Sequence, residues 1–350
     1  MVGFSQQRGD RLDFDVIVVG SGIAGLSYVL ELLDARPGAR VALVTKDRLG
    51  EGNSRYAQGG IASVARADDS IDQHVADTLS AGDGLCLESA VREILGRAPE
   101  CMQRLIARGV AFDRDRDQSY DLALEGGHSR RRIYHAGDRT GEAIIETLVA
   151  RVRDRAEVQI FEHHTVVGLI ASTLKHRPGS APEVHGAYLL DGQAGPIHVV
   201  RARVTVLATG GAGKVYRYTS NSELATGDGI AMAYRVGARV GNLEFYQFHP
   251  TLLYHSEVNN FLITEALRGE GAHLCHPRTG ERFMERYEPR AMELATRDKV
   301  VRAIFTEMER DGLDNVRLDV RHLDSEKLAG HFPLILSTLK RLGIDVEKGT

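Results

Sequence analysis

Glu125 stands before two glycines and three consecutive arginines in "LALEGGHSRRRIYHAGDRTG", residues 122–141, a lone carboxylate at the mouth of a basic stretch. Charge alone gives a solvated loop; the chemical alternative is an anion held ready for a cationic ligand. Gly20-Ser21-Gly22-Ile23-Ala24-Gly25 offers a different chemistry. At GxGxxG spacing the first glycine permits a tight turn, the second lets a pyrophosphate approach the backbone, and the third lets helix and strand pack closely. Gln247 and His249 alternate with Phe245 and Phe248 in "NLEFYQFHPT", a pattern compatible with strand or loop, and a lone histidine is more often structural than functional. Arg297 opens "RDKVVRAIFTEME". A guanidinium with a pKa above about 12 is a poor base in water, so it does proton chemistry only in a closed site with helpful neighbours.

These residues need elements to hold them. Asp15-Val16-Ile17-Val18-Val19 is an apolar β-branched run leading directly into the glycines, and Leu26, Val29, Leu30 and Leu33 then recur at helical spacing. Strand, glycine loop and helix form the setting in which GxGxxG binds a dinucleotide. A second apolar run, Val41–Val44, ends in Thr45-Lys46, without the acidic residue that holds ribose hydroxyls in ordinary NAD domains. Lys46 is either a reach toward a phosphate or adenosine oxygen, or a solvated lysine. Val204–Leu207 runs into Ala208-Thr209-Gly210-Gly211, small residues that suit either the same cofactor or an ordinary turn. A helix is expected from Thr296 or Arg297, with Val300, Val301, Ile304, Phe305 and Met308 on its buried face and Asp298 favourable in its first turn.

The 350 residues suffice for two domains, each with a substantial core. A net charge of −4 gives no electrostatic footprint for nucleic acid or an anionic membrane. Cys86, Cys101 and Cys275 are widely separated, with no metal-ligand or CxxC spacing, a pattern suited to a reducing compartment. No apolar run approaches the ~18 residues that span a bilayer, and the polar N-terminus lacks a signal-peptide core. A soluble cytoplasmic protein is expected. Its 37 glycines exceed the average share of roughly 7 % and cluster in loops, where they permit close backbone approach to a ligand.

"EGNSRYAQGGIASV", residues 51–64, together with GSGIAG, "GDGIAMAYRVGARVGNLEFYQFHPT" and "TEALRGEGAHL", resembles the flavoprotein family of succinate dehydrogenase, fumarate reductase and L-aspartate oxidase. The match runs in order from about Asp15 to the end of the chain. The resemblance implies an α/β fold, a Rossmann-like FAD-binding domain with an inserted α+β capping domain, divided here as residues 1–241 and 242–350. It implies FAD bound in extended form at Gly20, Ser21, Gly22, Ile23, Ala24, Gly25, Lys46, Asn53, Ser54, Arg55, Tyr56, Ala57, Gln58, Gly59, Gly60, Thr165, Val166 and Asp228. Respiratory members tether the flavin through a histidine five residues before the Gln of AQGG. That position is Asn53, which offers no nucleophilic ring nitrogen, so the FAD is expected to be non-covalent.

The resemblance also implies roles at the reacting end. Gln247, His249 and Thr264 fall at substrate-carboxylate positions, Glu265 and Arg268 at proton-relay positions, and Arg297 at the catalytic arginine. Members that handle fumarate or succinate carry an apolar residue where this chain has Glu125. A carboxylate repels a dicarboxylate but suits the ammonium on C2 of L-aspartate. The expected activity is therefore oxidation of L-aspartate to iminoaspartate, the precursor of quinolinate in NAD biosynthesis, with dioxygen or fumarate as electron acceptor and a possible contact with quinolinate synthase. The alternatives are a soluble fumarate-reducing or succinate-oxidising flavoprotein, and a non-catalytic fragment of either. The family's next substrate-binding His and Arg and its returning glycine-rich segment would follow "RLGIDVEKGT", so the chain is expected to be truncated after the capping domain.

Overall fold

The run at Asp15–Val19 forms the end of strand β1 (Arg11–Val19) in a computed structural model that describes residues 11–172, 182–193, 195–258 and 260–346. There follow α1 (Ile23–Ala35), β2 (Val41–Val44) and β3 (Ile61–Ala62). Helices α2 (Ile71–Ala81) and α3 (Glu88–Ala107) precede the short strands β4 (Leu122–Ala123) and β5 (Ile133–Tyr134). After α4 (Thr140–Arg153) come β6 (Val158–Phe161), β7 (His164–Ala171), β8 (Val184–Asp191) and β9 (Ile197–Leu207). Next are α5 (Asp228–Arg235), α6 (Ala266–Gly269), β10 (His273–Cys275) and α7 (Met284–Tyr287). The described chain ends with α8 (Arg297–Asp311), β11 (Arg317–Asp319), α9 (Ser325–His331) and α10 (Pro333–Arg341).

Packing divides the chain into two compact units, Met1–Tyr56 with Ile144–Phe245, and Ala57–Ala143 with Tyr246–Thr350. The sequence-based division had a single boundary at 241/242. Three boundaries arise because residues 57–143 pack with the C-terminal segment: Gly126 donates a hydrogen bond to Glu265, and Leu334 and Ile335 donate to Asp138.

The first unit is an α/β layer around a six-stranded sheet of order β6-β2-β1-β9-β8-β7. β6, β2, β1 and β9 are parallel, and β8 and β7 continue the sheet antiparallel. Val19 pairs with both Val44 and Leu207, so β1, β2 and β9 end together, and the segments opening at Gly20, Thr45 and Ala208 emerge side by side. Ligands of parallel α/β sheets bind outside such carboxyl ends. Ile17, Ala42, Leu189 and Val200 are among the fully buried residues of the core beneath them.

The second unit has small sheets, β3-β5-β4 and β10-β11, among helices. Its apolar clusters centre on Leu267, Ile335 and Phe332, and on Leu274, Phe283 and Val300. Arg132, the third arginine of the basic run, is wholly buried and bonds Asp69 at 2.8 Å through both Nε and Nη2, and Asp77 through Nη1 at 2.5 Å. Helix α8 starts at Arg297 as expected, but its buried stripe is Val300, Ala303 and Glu307. Phe305, expected inside, is 58% exposed. Glu307 takes the inner position because Arg286, Arg310 and the Tyr287 hydroxyl all bond its carboxylate.

Candidate active site

The glycine loop has the expected local form. Gly20 has φ +106°, and a Cβ there would overlap the Ala208 carbonyl. A Cβ on Gly25 would overlap the Gly20 carbonyl oxygen, so the third glycine is what lets α1 close onto the turn. Ser21 Oγ donates to Thr45 Oγ1 at 2.9 Å and accepts from the Gly50 amide at 3.0 Å, fixing the loop to the end of β2. No side chain caps α1, although the Ile23 amide donates to Ser54 Oγ at 3.2 Å.

Around this loop lies a cavity of about 390 Å³, wholly within the first unit. Gly20, Ser21, Gly22, Ile23, Ala24, Lys46, Asn53, Ser54, Val166 and Asp228 line it, as does the stretch Ala208 to Gly211. Lys46 pairs with Asp228 and donates to the Leu224 carbonyl at 3.1 Å and to Thr226 Oγ1 at 2.6 Å. Burial alone would raise the Asp228 carboxyl, but Lys46 and Thr226 hold it below the usual carboxylate range. Asn53 is held on both sides: it donates to Asn221 Oδ1 at 2.6 Å and accepts from the Ser222 amide at 2.7 Å.

Eight of the cofactor positions do not line this cavity. Gly25 packs behind the loop, Arg55 pairs with Glu146 at 2.9 Å, Tyr56 is 56% exposed, and Thr165 pairs with Leu190 in the sheet. Ala57 to Gly60 belong to the second unit. Sequence reasoning missed Thr45, Glu51, Ser222, Leu224, Ala225 and Met232, which also line the cavity. The turn-rich "SNSELATGDG" just before α5 was the available signal for the Ser222–Ala225 stretch.

The residues fit FAD. A size within the usual range for ligand sites, a glycine turn too tight for side chains, an uncapped helix N-terminus for phosphates and the Lys46–Asp228 pair together match an extended dinucleotide.

The second unit gathers the residues expected at the reacting end. Glu265 is the hub. It accepts from Arg297 Nε at 2.6 Å and from the Gly126 amide at 3.1 Å, and Arg268 Nη2 lies 3.4 Å away. Arg297 also donates through Nη1 to Gln247 Oε1 at 2.9 Å. A Cβ on Gly126 would overlap Glu265 Oε1, so the glycine after Glu125 is the residue that allows this approach. Arg268 is fully buried and donates to the Glu293 carbonyl at 2.6 Å, while its Nε and Nη2 have no hydrogen-bond partner among the described residues. Burial pushes that guanidinium below its ordinary range.

Glu125 and Thr264 line a second cavity of about 310 Å³ with Gln58, Gly59 and Gly60. Glu125 Oε1 is buried and has no hydrogen-bond partner among the described residues. Burial, then the charge of Glu265, pushes the Glu125 carboxyl up to about 7 despite the opposing arginines. Thr264 is buried, and its hydroxyl accepts from the Ala266 amide at 3.3 Å. His249 sits in a loop, its Nδ1 3.1–3.2 Å from the Thr251 backbone. Burial, then Arg297, brings its pKa down to about 4, so the ring is neutral at pH 7.

The chain belongs to the FAD binding domain family, whose model matches residues 15–349. It is 49% identical over 339 residues to L-aspartate oxidase 1 of Ralstonia nicotianae, covering 96% of this chain and 62% of that protein. With the L-aspartate oxidase of Vibrio cholerae it shares 50% identity over 339 residues, with 95% and 62% covered. Among solved structures, a variant of E. coli quinol fumarate reductase superposes with a TM-score of 0.88 at 33% identity, over 97% of this chain and 59% of that one. The chain thus spans about 62% of the length of these curated relatives. The flavoprotein family read from GSGIAG and AQGG is borne out, and with it the α/β FAD-binding fold and the FAD cofactor.

Proposed function

We propose that this chain is the cofactor- and substrate-binding portion of an L-aspartate oxidase. Bound FAD supplies the two-electron oxidation of C2. Gly20 to Ala24, Lys46, Asn53, Ser54, Val166 and Asp228, which line the cavity of the first unit, hold it, non-covalently, since Asn53 has no ring nitrogen to form the link. Iminoaspartate is the product, for the quinolinate branch of NAD biosynthesis, and quinolinate synthase is the partner that would receive it. Dioxygen or fumarate accepts the electrons; several neighbours in structure are fumarate reductases.

The observation that carries this reading is Glu125, a half-buried carboxylate with one buried oxygen that has no hydrogen-bond partner among the described residues, under the charges of Arg297 and Arg268. An ammonium is the ligand that satisfies it. Gln247, His249 and Thr264 hold the two substrate carboxylates. In the tautomer whose Nδ1 accepts the Thr251 amide, His249 donates its Nε2–H to a carboxylate oxygen. Arg297 takes the C3 proton, leaving 2-aminofumarate, the enamine tautomer of iminoaspartate, or stabilises the charge that develops there, and Glu265 and Arg268 relay the proton through the contacts that join them. The reading of Glu125 disfavours succinate oxidation, because neither succinate nor fumarate brings a cation to this carboxylate.

Glu125→Gln tests the reading in the active enzyme, since it keeps the shape and removes the charge. A hydrogen bond to a charged group contributes about 1.5–3 kcal/mol, so kcat/KM for aspartate should fall by about one to two orders of magnitude. Fumarate reduction should persist or rise as repulsion is relieved. An equal loss with both substrates would mean that Glu125 only pins its loop.

A further inference from the structure

Beside the cofactor cavity, the sheet of the first unit brings His164, Asp191 and His198 together at one end of β7, β8 and β9. His164 is the direct cross-strand partner of Asp191. His198 is paired with Leu189, two residues before Asp191, so the period of two puts all three side chains on one face. Each offers a ligand atom, all within 4.8 Å of one another, and all three residues are half-buried. We propose that His164, Asp191 and His198 form a binding site for a divalent first-row transition ion of the Zn²⁺ type, joining the three antiparallel strands beside the cofactor cavity.

The chemistry of each group supports this. His164 Nδ1 lies 2.6 Å from the Glu162 carbonyl, which can only accept, so Nδ1 carries the ring proton and Nε2 keeps its lone pair. A backbone carbonyl taking the second ring N–H is the arrangement that orients metal-bound imidazoles. His198 Nδ1 is buried with no hydrogen-bond partner among the described residues, a cost that a bond to a metal at that nitrogen would offset. The two rings are 5.8 Å apart between centroids and tilted by 37°. Asp191 already accepts the Gln193 amide at 2.8 Å, but a carboxylate has about four lone-pair sites and can serve a metal as well. Tetrahedral bonds of about 2.0–2.1 Å place ligand atoms about 3.4 Å apart, within small side-chain rotations of the present separation. Two imidazoles and one carboxylate favour Zn²⁺ and its first-row neighbours over Mg²⁺ or Ca²⁺, which take oxygen ligands.

His164 also lines the cofactor cavity, and its backbone amide donates to the Thr45 carbonyl at the end of β2. An ion here therefore braces the strand ends against the segment that carries Lys46.

The test is equilibrium dialysis of the tag-free 350-residue chain, with and without FAD, against Zn²⁺ alone, followed by elemental analysis. One equivalent is expected to bind saturably, and His198→Asn or Asp191→Asn should each weaken binding by at least about 10–100-fold, the loss typical even of outer-shell changes. His185→Asn, an exposed histidine of β8 outside the trio, should leave it unchanged. The wild-type chain alone gives a second readout: Zn²⁺ should raise Tm with one-site concentration dependence, and Mg²⁺ should not. Absence of saturable Zn²⁺ binding, no Zn²⁺-specific rise in Tm, or binding that survives both ligand substitutions would overturn the proposal.

Discussion

The Glu125 carboxyl is poised near neutrality because burial and the negative charge of Glu265 oppose its ionisation more than the arginines favour it. If Glu125 reads the ammonium of L-aspartate, as proposed, only its ionised form pairs with it, so binding must draw off the proton that Glu125 carries below about pH 7. The sign follows: kcat/KM for aspartate should rise with pH through about 7, and Glu125→Gln should flatten that limb. Binding of a dicarboxylate without an amino group, such as fumarate, should run the other way and weaken over the same interval. Stability carries the same signature. A carboxyl at about 7 in the folded protein and near 4.5 in the unfolded chain makes the folded form bind more protons between those values, so its contribution is present below about 4.5 and lost as pH rises through about 7. Thermal unfolding of wild type against Glu125→Gln at pH 5 and pH 8 checks this: parallel Tm changes in the two proteins would show that Glu125 is not the titrating group. The sequence made this residue conspicuous through its charge and neighbours. Part of its raised pKa comes from the charge of Glu265, 140 positions away, and no local pattern reports that.

Elements were legible where periodicity and turn chemistry agree. The β1–loop–α1 unit and the start of α8 at Arg297 followed from apolar spacing and from glycines that admit no Cβ. The inner face of α8 was misread at Phe305, because apolar spacing alone does not reveal that two arginines and a tyrosine draw Glu307 inward. Roles for Gln247 and His249 came from resemblance, since they sit in an irregular loop where neither period applies. The Gly126–Glu265 approach gives a prediction at this scale. In Gly126→Ala the new Cβ would overlap Glu265 Oε1 and lie 3.0 Å from the Ala295 carbonyl, displacing the carboxylate that holds Arg297. Overpacking of this kind costs about 1–3 kcal/mol, and lost as alignment in the transition state that is about one to two orders of magnitude in kcat/KM. Flavin content should be unchanged, because the glycine loop of the first unit is untouched. Loss of flavin along with activity would place the defect in folding rather than in the position of Arg297.

Across the whole molecule, two kinds of interior carry the two kinds of site. The first unit is a conventional apolar sheet core, and its cofactor cavity opens where parallel strands end. The second unit buries charge: Arg132 with Asp69 and Asp77, Glu293 with Arg282, and Arg268 beside Glu265. Sequence alone did not divide the chain this way, because the association of residues 57–143 with the C-terminal segment rests on long-range hydrogen bonds rather than on any break in composition. Those charges are an asset only while paired. Burial alone would raise both Asp69 and Asp77, and hydrogen bonds, those from Arg132 among them, hold the two carboxyls below their ordinary range. In Arg132→Ala two neighbouring aspartates lose the cation between them, a change that costs about 3–5 kcal/mol when a buried pair is broken. The damage should be regional. Hydrogen exchange should accelerate in α2 and β5, which position Asp77 and Arg132, while amides of β1, β2 and β9 keep their protection. Urea unfolding followed by exchange and mass spectrometry reads both quantities at once. A loss below about 1 kcal/mol, within the range of a surface ion pair, would show that the cluster is solvated and that the second unit draws its stability from its apolar clusters instead.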